Sequence, residues 1–401
     1  VLAGPAALAG QQSGHPGATG AKAGHGGAGA GGSASAQVAP VGGPQLARRG
    51  VVVNYPAHGG RRLPKVPASA YVVADAGTGQ VLAAKDPHGL YRPASTLKVL
   101  TAITLMQALS PDATVIASHR AANVEPSKVG LIAGDRYRVS DLFKALLMIS
   151  ANDAAIALVQ ASGSYARGMA MMNAEAHHLQ ADDTVAVTPN GLDARGQHVS
   201  AYDEALFARQ ALAIPAFMHD EALRTFRFPL RPHSTRHHRN RMVTLYTQNT
   251  MLSSFRGDLG GKIGWTTPAR ATFIGWARRG GTTLVVTILH CTPLTELTYA
   301  TRLLRWGFAM DGTVRPVGHL ASPLPTVAAV HHGAVHRSAL HHGAARPQPA
   351  PGKRSLAQPG SELPGLPLTA GLAALLLAVL VSSAVMIFSG RRRRAGNPPG
   401  R

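Results

Sequence analysis

Ser95-Thr96-Leu97-Lys98 sets a hydroxyl and an amine three residues apart, just after Pro93 and at the head of an apolar run. On a helix such a pair shares one face. A serine hydroxyl is a weak nucleophile near neutral pH until an adjacent base takes its proton. Lysine can be that base when it is neutral, a state promoted by desolvation and by a second cation nearby. A helix N-terminus also favours the negative charge that develops on an attacking serine. Alone, the pair is ambiguous, because Ser95 also reads as a plain helix cap. Two further elements supply partners. Ser150-Ala151-Asn152 falls in a polar break between helical segments, where side chains can face a cleft. Lys262-Ile263-Gly264 lies on a strand-like segment, with glycine permitting close approach of a ligand backbone. The chain has eight lysines, and two of them hold these positions.

The elements that must position these groups can be read from periodicity. Residues 70–75 and 80–84 form two strands around the Gly-rich turn 76–79. Residues 94–109 are apolar on most faces and predict a buried helix. Helices follow at 141–149 and 154–161, separated by the break 150–153. Segments 260–264, 271–277 and 283–289 read as consecutive strands, the last two joined by the turn 278–281, and 297–308 closes the domain as an amphipathic helix. Strands near both ends with helices between them predict an α+β fold whose single sheet draws on both termini.

Outside that region the composition changes. Residues 1–9 end in Ala7-Leu8-Ala9, which resembles the tail and cleavage site of an export signal. A Gly/Ala-rich linker completes a first segment, 1–45, and the folded domain is expected at 46–316. Residues 317–366 are rich in Pro, His and Ala and read as a second linker. Its His pairs at 331–332 and 341–342 lack a nearby Cys or carboxylate cluster, so no metal site is assigned. Residues 367–389 contain an uncharged stretch long enough to cross about 30 Å of hydrocarbon as a helix. The tail 390–401 opens with Arg391 to Arg394, which places the C-terminus in the cytoplasm and the domain outside.

The net charge of +21 favours anionic surroundings. Nucleic acid is not the expected partner, because the charge is dispersed, aromatic residues make up 5% of the chain and no nucleic-acid-binding motif is present. Cys291, the single cysteine, excludes an intramolecular disulfide and reads as a small buried hydrophobe.

Order, spacing and context of the three elements match the Ser-x-x-Lys, Ser-x-Asn, Lys-Thr-Gly set of penicillin-binding proteins and serine β-lactamases. Segments 92–98, 147–155, 188–193 and 305–308 further resemble the low-molecular-mass D-alanyl-D-alanine carboxypeptidases, over about 68–308. That resemblance implies a β-lactamase/DD-peptidase-like fold, with an antiparallel sheet, packed helices and an all-helical subdomain. It implies a serine carboxypeptidase that trims the terminal D-alanine of peptidoglycan stem peptides, is acylated by β-lactams and needs no cofactor. Ser95 would be the nucleophile and Lys98 its base, with Ser150 relaying the proton and Asn152 orienting the substrate amide. Lys262, Gly264, Trp265 and Thr266 would bind substrate, with the N–H groups of Ser95 and Trp265 as oxyanion hole. One departure stands out. The family usually carries Thr where this chain has Ile263, and isoleucine cannot donate a hydrogen bond to the substrate carboxylate. Thr266, Thr267 or Arg270 are the candidates to compensate. A non-catalytic wall-binding relative is therefore the alternative, and a β-lactamase a further one, although the Glu-x-x-Leu-Asn element of class A enzymes is not visible after Asn152.

Overall fold

The computed structural model describes residues 39–230 and 241–325. The described chain enters through a 3₁₀ turn, Pro44–Ala47, followed by β1 (Val51–Val52), β2 (Ala68–Asp75) and β3 (Gln80–Lys85). A second 3₁₀ turn, Ala94–Leu97, leads into α1 (Lys98–Met106). A mainly helical stretch comes next. Strands β4 (Thr114–Ile116) and β5 (Arg136–Arg138) pair with each other and flank α2 (His119–Ala122) in sequence. They precede α3 (Val139–Met148), α4 (Asn152–Ala161), α5 (Tyr165–His178), α6 (Ala201–Ala211) and α7 (Pro215–Glu221). The hairpin of β6 (Thr225–Pro229) and β7 (Met242–Tyr246) and the short α8 (Met251–Ser254) then lead back to the main sheet. That sheet is completed by β8 (Asp258–Thr266), β9 (Arg270–Arg279) and β10 (Thr282–Cys291), before α9 (Glu296–Met310) and β11 (Gly318–His319).

The main sheet runs β1-β3-β2-β10-β9-β8, with β11 also on β3, and every pair is antiparallel. Pairing of β2 with β10 joins the two ends of the domain, as the sequence pattern predicts. Its inner strands read as nearly unbroken apolar runs because both faces are covered. With a side-chain period of two, Val72, Ala74, Val285 and Leu289 point into the helical layer that contains α1, α4 and α6. Their neighbours Tyr71, Val73, Leu284, Val286 and Ile288 point instead toward Leu303 and Leu304 of α9. Polar atoms on the inner face are paired: Trp276 Nε1 donates to Ala208 O at 2.7 Å and Thr287 Oγ1 to Ala201 O at 2.7 Å, fixing α6 on the sheet.

Several boundaries differ from the sequence reading. The predicted helix 94–109 begins as the 3₁₀ turn Ala94–Leu97, with Ala94 at φ 47°, and the α-helix starts only at Lys98. The folded domain also extends beyond 46–316. Ahead of it, Val41 O lies 3.1 Å from His88 Nε2, and His319 N donates to Gly42 O at 2.9 Å. Behind it, Val317 and Leu320 are buried, and their N–H groups donate to Val81 O and Gly79 O. A two-residue strand within Pro- and Gly-rich sequence carries no periodic signal, so its pairing could not be read locally. The export-signal segment, the His pairs, the apolar segment 367–389 and the basic tail lie outside the described residues. Among the described residues no helix is long and apolar enough to cross a membrane, and no group of three or more His, Cys, Asp or Glu is placed to hold a metal ion.

Candidate active site

Ser95 sits on the tight turn between Pro93 and α1. In a 3₁₀ turn residues three apart eclipse one another, so Lys98 is aligned behind Ser95 more closely than in an α-helix. Lys98 Nζ lies 2.8 Å from Ser95 Oγ. It also donates to Asn152 Oδ1 at 2.7 Å and to the backbone oxygen of Asn190 at 2.7 Å. Those two oxygens can only accept, so two N–H bonds of the amine are committed to them and its remaining direction faces the serine. In the free amine that direction holds the lone pair. Lys98 can therefore accept the Ser95 proton without moving.

The electrostatics favour that free amine. Lys98 is fully buried, and its pKa is held well below the ordinary lysine value, first by desolvation and then by the Lys262 cation, with Asp153 opposing. Lys262, on β8, is also buried. Desolvation pushes its own pKa down, and the buried Glu221 carboxylate counters this. Replacing Lys262 by glutamine removes the cation beside Lys98, which must raise the Lys98 pKa. The rate of penicillin acylation, rising with pH as Lys98 loses its proton, is then expected to reach half-maximum at higher pH than in the wild type. Stopped-flow acylation rates across pH check this, and an unmoved midpoint would remove Lys262 from the account.

A helix, a strand and a loop hold the nucleophile turn. Thr96 Oγ1 donates to Pro93 O at 2.6 Å and also contacts the buried Glu204, while Thr272 Oγ1 of β9 donates to Pro93 O at 2.9 Å. Burial holds the Glu204 carboxyl well above the usual carboxylate range. Thr101 Oγ1 donates to Pro189 O at 2.6 Å, fixing the 188–193 loop beside α1 and presenting the Asn190 carbonyl to Lys98. Asp153 accepts N–H bonds from Val129, Gly130 and Leu131 at 2.8–3.1 Å, which ties down the neighbouring loop. Asn152 reaches the same loop through its N–H to Ser127 O and its Nδ2 to Glu125 O.

The cavity beside this turn, about 490 Å³, is bordered by Ser95, Ser127, Ser150, Ile263, Trp265 and Glu296, among others. Ser150, at φ 62°, makes no side-chain hydrogen bond within the described chain and shares the cavity wall with Ser95. Gly264 lets β8 run against the nucleophile's backbone, since a Cβ there would lie 2.8 Å from Ser95 N and 3.0 Å from Thr96 N.

Ser95, Lys98, Ser150 and Asn152 are thus brought together, and three residues make contacts that local sequence does not specify. Asn152, 2% exposed, accepts from Lys98 at Oδ1 and donates Nδ2 to Glu125 O, contacts that hold the base. Lys262 Nζ donates to Ile263 O at 2.6 Å and is buried, and neither lysine nor arginine borders the cavity. Its charge reaches the site through Lys98. Thr266 Oγ1 accepts the Ala269 N–H at 3.1 Å, which engages it in the β8–β9 turn outside the cavity wall. Of the proposed substitutes for the missing threonine, neither Thr267 nor Arg270 borders the cavity either. Cys291 is buried, and burial pushes its thiol up to about 12, as befits an inert packing residue.

Asn190, Asp153, Glu221 and Glu204 were not assigned roles from sequence. Asn190 and Asp153 fall inside the family-like segments 188–193 and 147–155. The two glutamates carry no local signal beyond an acid in a buried helix.

Comparison with known proteins agrees with this geometry. The family described as peptidase S11, D-alanyl-D-alanine carboxypeptidase, matches residues 58–292. D-alanyl-D-alanine carboxypeptidase DacB2 of Mycobacterium tuberculosis is 36% identical over 255 residues, covering 62% of this chain and 85% of that protein. A crystal structure of a D-alanyl-D-alanine carboxypeptidase from the same organism superposes with a TM-score of 0.61 at 36% identity, over 66% of this chain and 99% of that one. The Streptomyces K15 DD-transpeptidase does so with a TM-score of 0.58 at 25% identity, over 62% and 100%.

Proposed function

This chain belongs to the D-alanyl-D-alanine carboxypeptidase family of serine peptidases, and from that premise we propose that it hydrolyses the terminal D-alanine of peptidoglycan stem peptides through an acyl-enzyme on Ser95. The observation that carries the assignment is the Lys98 amine, desolvated, held by two carbonyl oxygens and aimed at Ser95 Oγ. Lys98 takes the Ser95 proton as Oγ bonds to the carbonyl carbon of the penultimate residue. The resulting oxyanion faces the N–H groups of Ser95 and Trp265, and a donor of this kind is worth about 3 kcal/mol where one has been removed. Collapse breaks the C–N bond, and the proton held by Lys98 passes to the leaving amine, with Ser150 on the cavity wall as the relay. Water then cleaves the ester, giving its proton back through the same base.

Ile263 is the feature that favours the alternative, a relative that binds wall peptides with little turnover. It borders the cavity where a hydroxyl would meet the substrate carboxylate. A hydrogen bond to a charged group contributes about 1.5–3 kcal/mol, so Ile263→Thr is expected to raise kcat/KM by about ten- to a hundredfold on a pentapeptide ending in a free carboxylate. The same peptide with an amidated C-terminus is expected to gain nothing. D-alanine release from both peptides decides the matter. Turnover by the wild type supports the carboxypeptidase, whereas release only after the substitution makes the natural chain a binder.

The uncharged segment 367–389 and the Arg391 to Arg394 run support anchoring by one C-terminal span with the peptidase domain outside the cytoplasm. Protease treatment of intact cells tests this. A domain shielded from external protease would contradict it.

A further inference from the structure

Along α9 the catalytic cavity shares wall residues with a neighbouring cavity that is lined by arginines. Thr250, Leu297 and Thr298 border both, and the neighbour, about 290 Å³, reaches Arg302 and Arg305. Arg305 in turn borders a third cavity, about 500 Å³, together with Arg61 and Arg279. Positions 298, 302 and 305 are spaced four and three apart, so they lie on one face of α9. At 1.5 Å per residue, the seven steps from Thr298 to Arg305 span about 10 Å.

These arginines lack acidic partners. Among the described residues the side chains of Arg61, Arg302 and Arg305 make no hydrogen bond or ion pair. Arg279 is held in place without a carboxylate: its guanidinium carbon lies 4.6 Å from the Phe255 ring and 4.8 Å from the Phe308 ring, and its Nε donates to Arg256 O at 3.2 Å. Two acids lie nearby: Asp311 accepts the hydroxyl of the cavity residue Thr282 at 2.9 Å, and Glu296 borders the catalytic cavity. Exposed arginines are ordinarily just solvated. An aromatic-clamped guanidinium, in a cavity that shares Arg305 with the neighbour of the catalytic cavity, is a different arrangement.

We propose that this face of α9 is a subsite for carboxylate groups of the peptidoglycan strand whose stem peptide occupies the catalytic cavity, with Arg302 and Arg305 making the contacts and Arg279 and Arg61 extending the field. The inference rests on the carboxypeptidase reading. It accounts for a positive surface outside a cavity whose own wall carries no cation, because it places strand recognition about 10 Å along α9 from the cavity wall at Thr298.

The test uses the full chain and a double variant, Arg302→Gln with Arg305→Gln. D-Alanine release is compared on soluble strands with free carboxylates, on the same strands amidated at those carboxylates, and on a short blocked dipeptide-bearing lysine substrate. The dissociation constant for each labelled strand is read by fluorescence anisotropy. The expected result is a kcat/KM about tenfold lower, through KM, on carboxylated strands alone. A matching loss of affinity should accompany it, with unchanged penicillin acylation and no change on the short substrate. Equal losses on all substrates, or a wild type that binds amidated strands as tightly, would overturn the subsite. A chain that binds carboxylated strands through the arginines but releases no D-alanine from any substrate would leave the subsite standing and remove the carboxypeptidase.

Discussion

Lys98→Met is expected to slow acylation of Ser95 by a fluorescent penicillin by about 10²–10⁴-fold, the range typical for loss of a positioned general base. The amine is the one group within hydrogen-bonding distance of Ser95 Oγ, at 2.8 Å, among the described residues. Its two other contacts, to Asn152 Oδ1 and Asn190 O, leave only that direction free to accept a proton. Methionine fills much of the same space but cannot accept the proton at physiological pH. In the wild type the rate should rise with pH and level off well below the range in which an ordinary lysine titrates, because burial and Lys262 depress the Lys98 pKa. That rise should be absent from the residual rate of the variant. Pseudo-first-order labelling rates across pH measure both. A variant labelled at the wild-type rate, with thermal unfolding showing it to be folded, would mean that another base activates Ser95.

Gly191→Ala is expected to be nearly as damaging, although Gly191 does not border the catalytic cavity. At φ 79° the residue sits in the left-handed region, where a side chain costs about 1–2 kcal/mol. A Cβ there would fall 1.7 Å from Ala94 O and 3.2 Å from Ser95 N. Because these are backbone atoms, relief requires moving either the nucleophile turn or the loop that presents Asn190 O to Lys98. Overpacking of this kind costs about 1–3 kcal/mol. Together the two effects should lower stability by a few kcal/mol. Displacing a reacting group by about 1 Å costs on the order of a hundredfold in rate, so acylation should fall by about that factor. Denaturant titration and penicillin labelling check the two consequences. Full activity in Gly191→Ala would show that the turn and the loop are not mechanically coupled.

How much of this was legible in the sequence depends on range. The nucleophile and base are three residues apart, so a local motif revealed both. The sheet's continuous apolar strands and the breaks between them were equally local, and β2, β3 and β8 to β10 fall where periodicity placed them. The environment that sets the Lys98 pKa was not local. Lys98 meets Asn190 O across 92 positions and Asn152 across 54, and no spacing rule anticipates such contacts. Direction was the other hidden quantity. Lys262 and Asn152 lie on the elements expected, yet the fold buries the first with its amine on Ile263 O and bonds the second to Lys98. One-letter order fixes which strand a residue occupies more readily than which neighbour satisfies its polar atoms. Buried acids such as Glu221 and Glu204 show the same limit, since their partners Gly261 and Thr96 lie 40 and 108 positions away.

The proposed chemistry passes through one covalent bond, to Ser95 Oγ. Benzylpenicillin should add once to the folded chain, with a mass increase equal to the intact drug, and digestion should place it on the peptide spanning residues 86–98, at Ser95. A folded chain that gains no mass, or that carries the adduct on any other residue, would contradict the assignment of Ser95 as the acylated nucleophile.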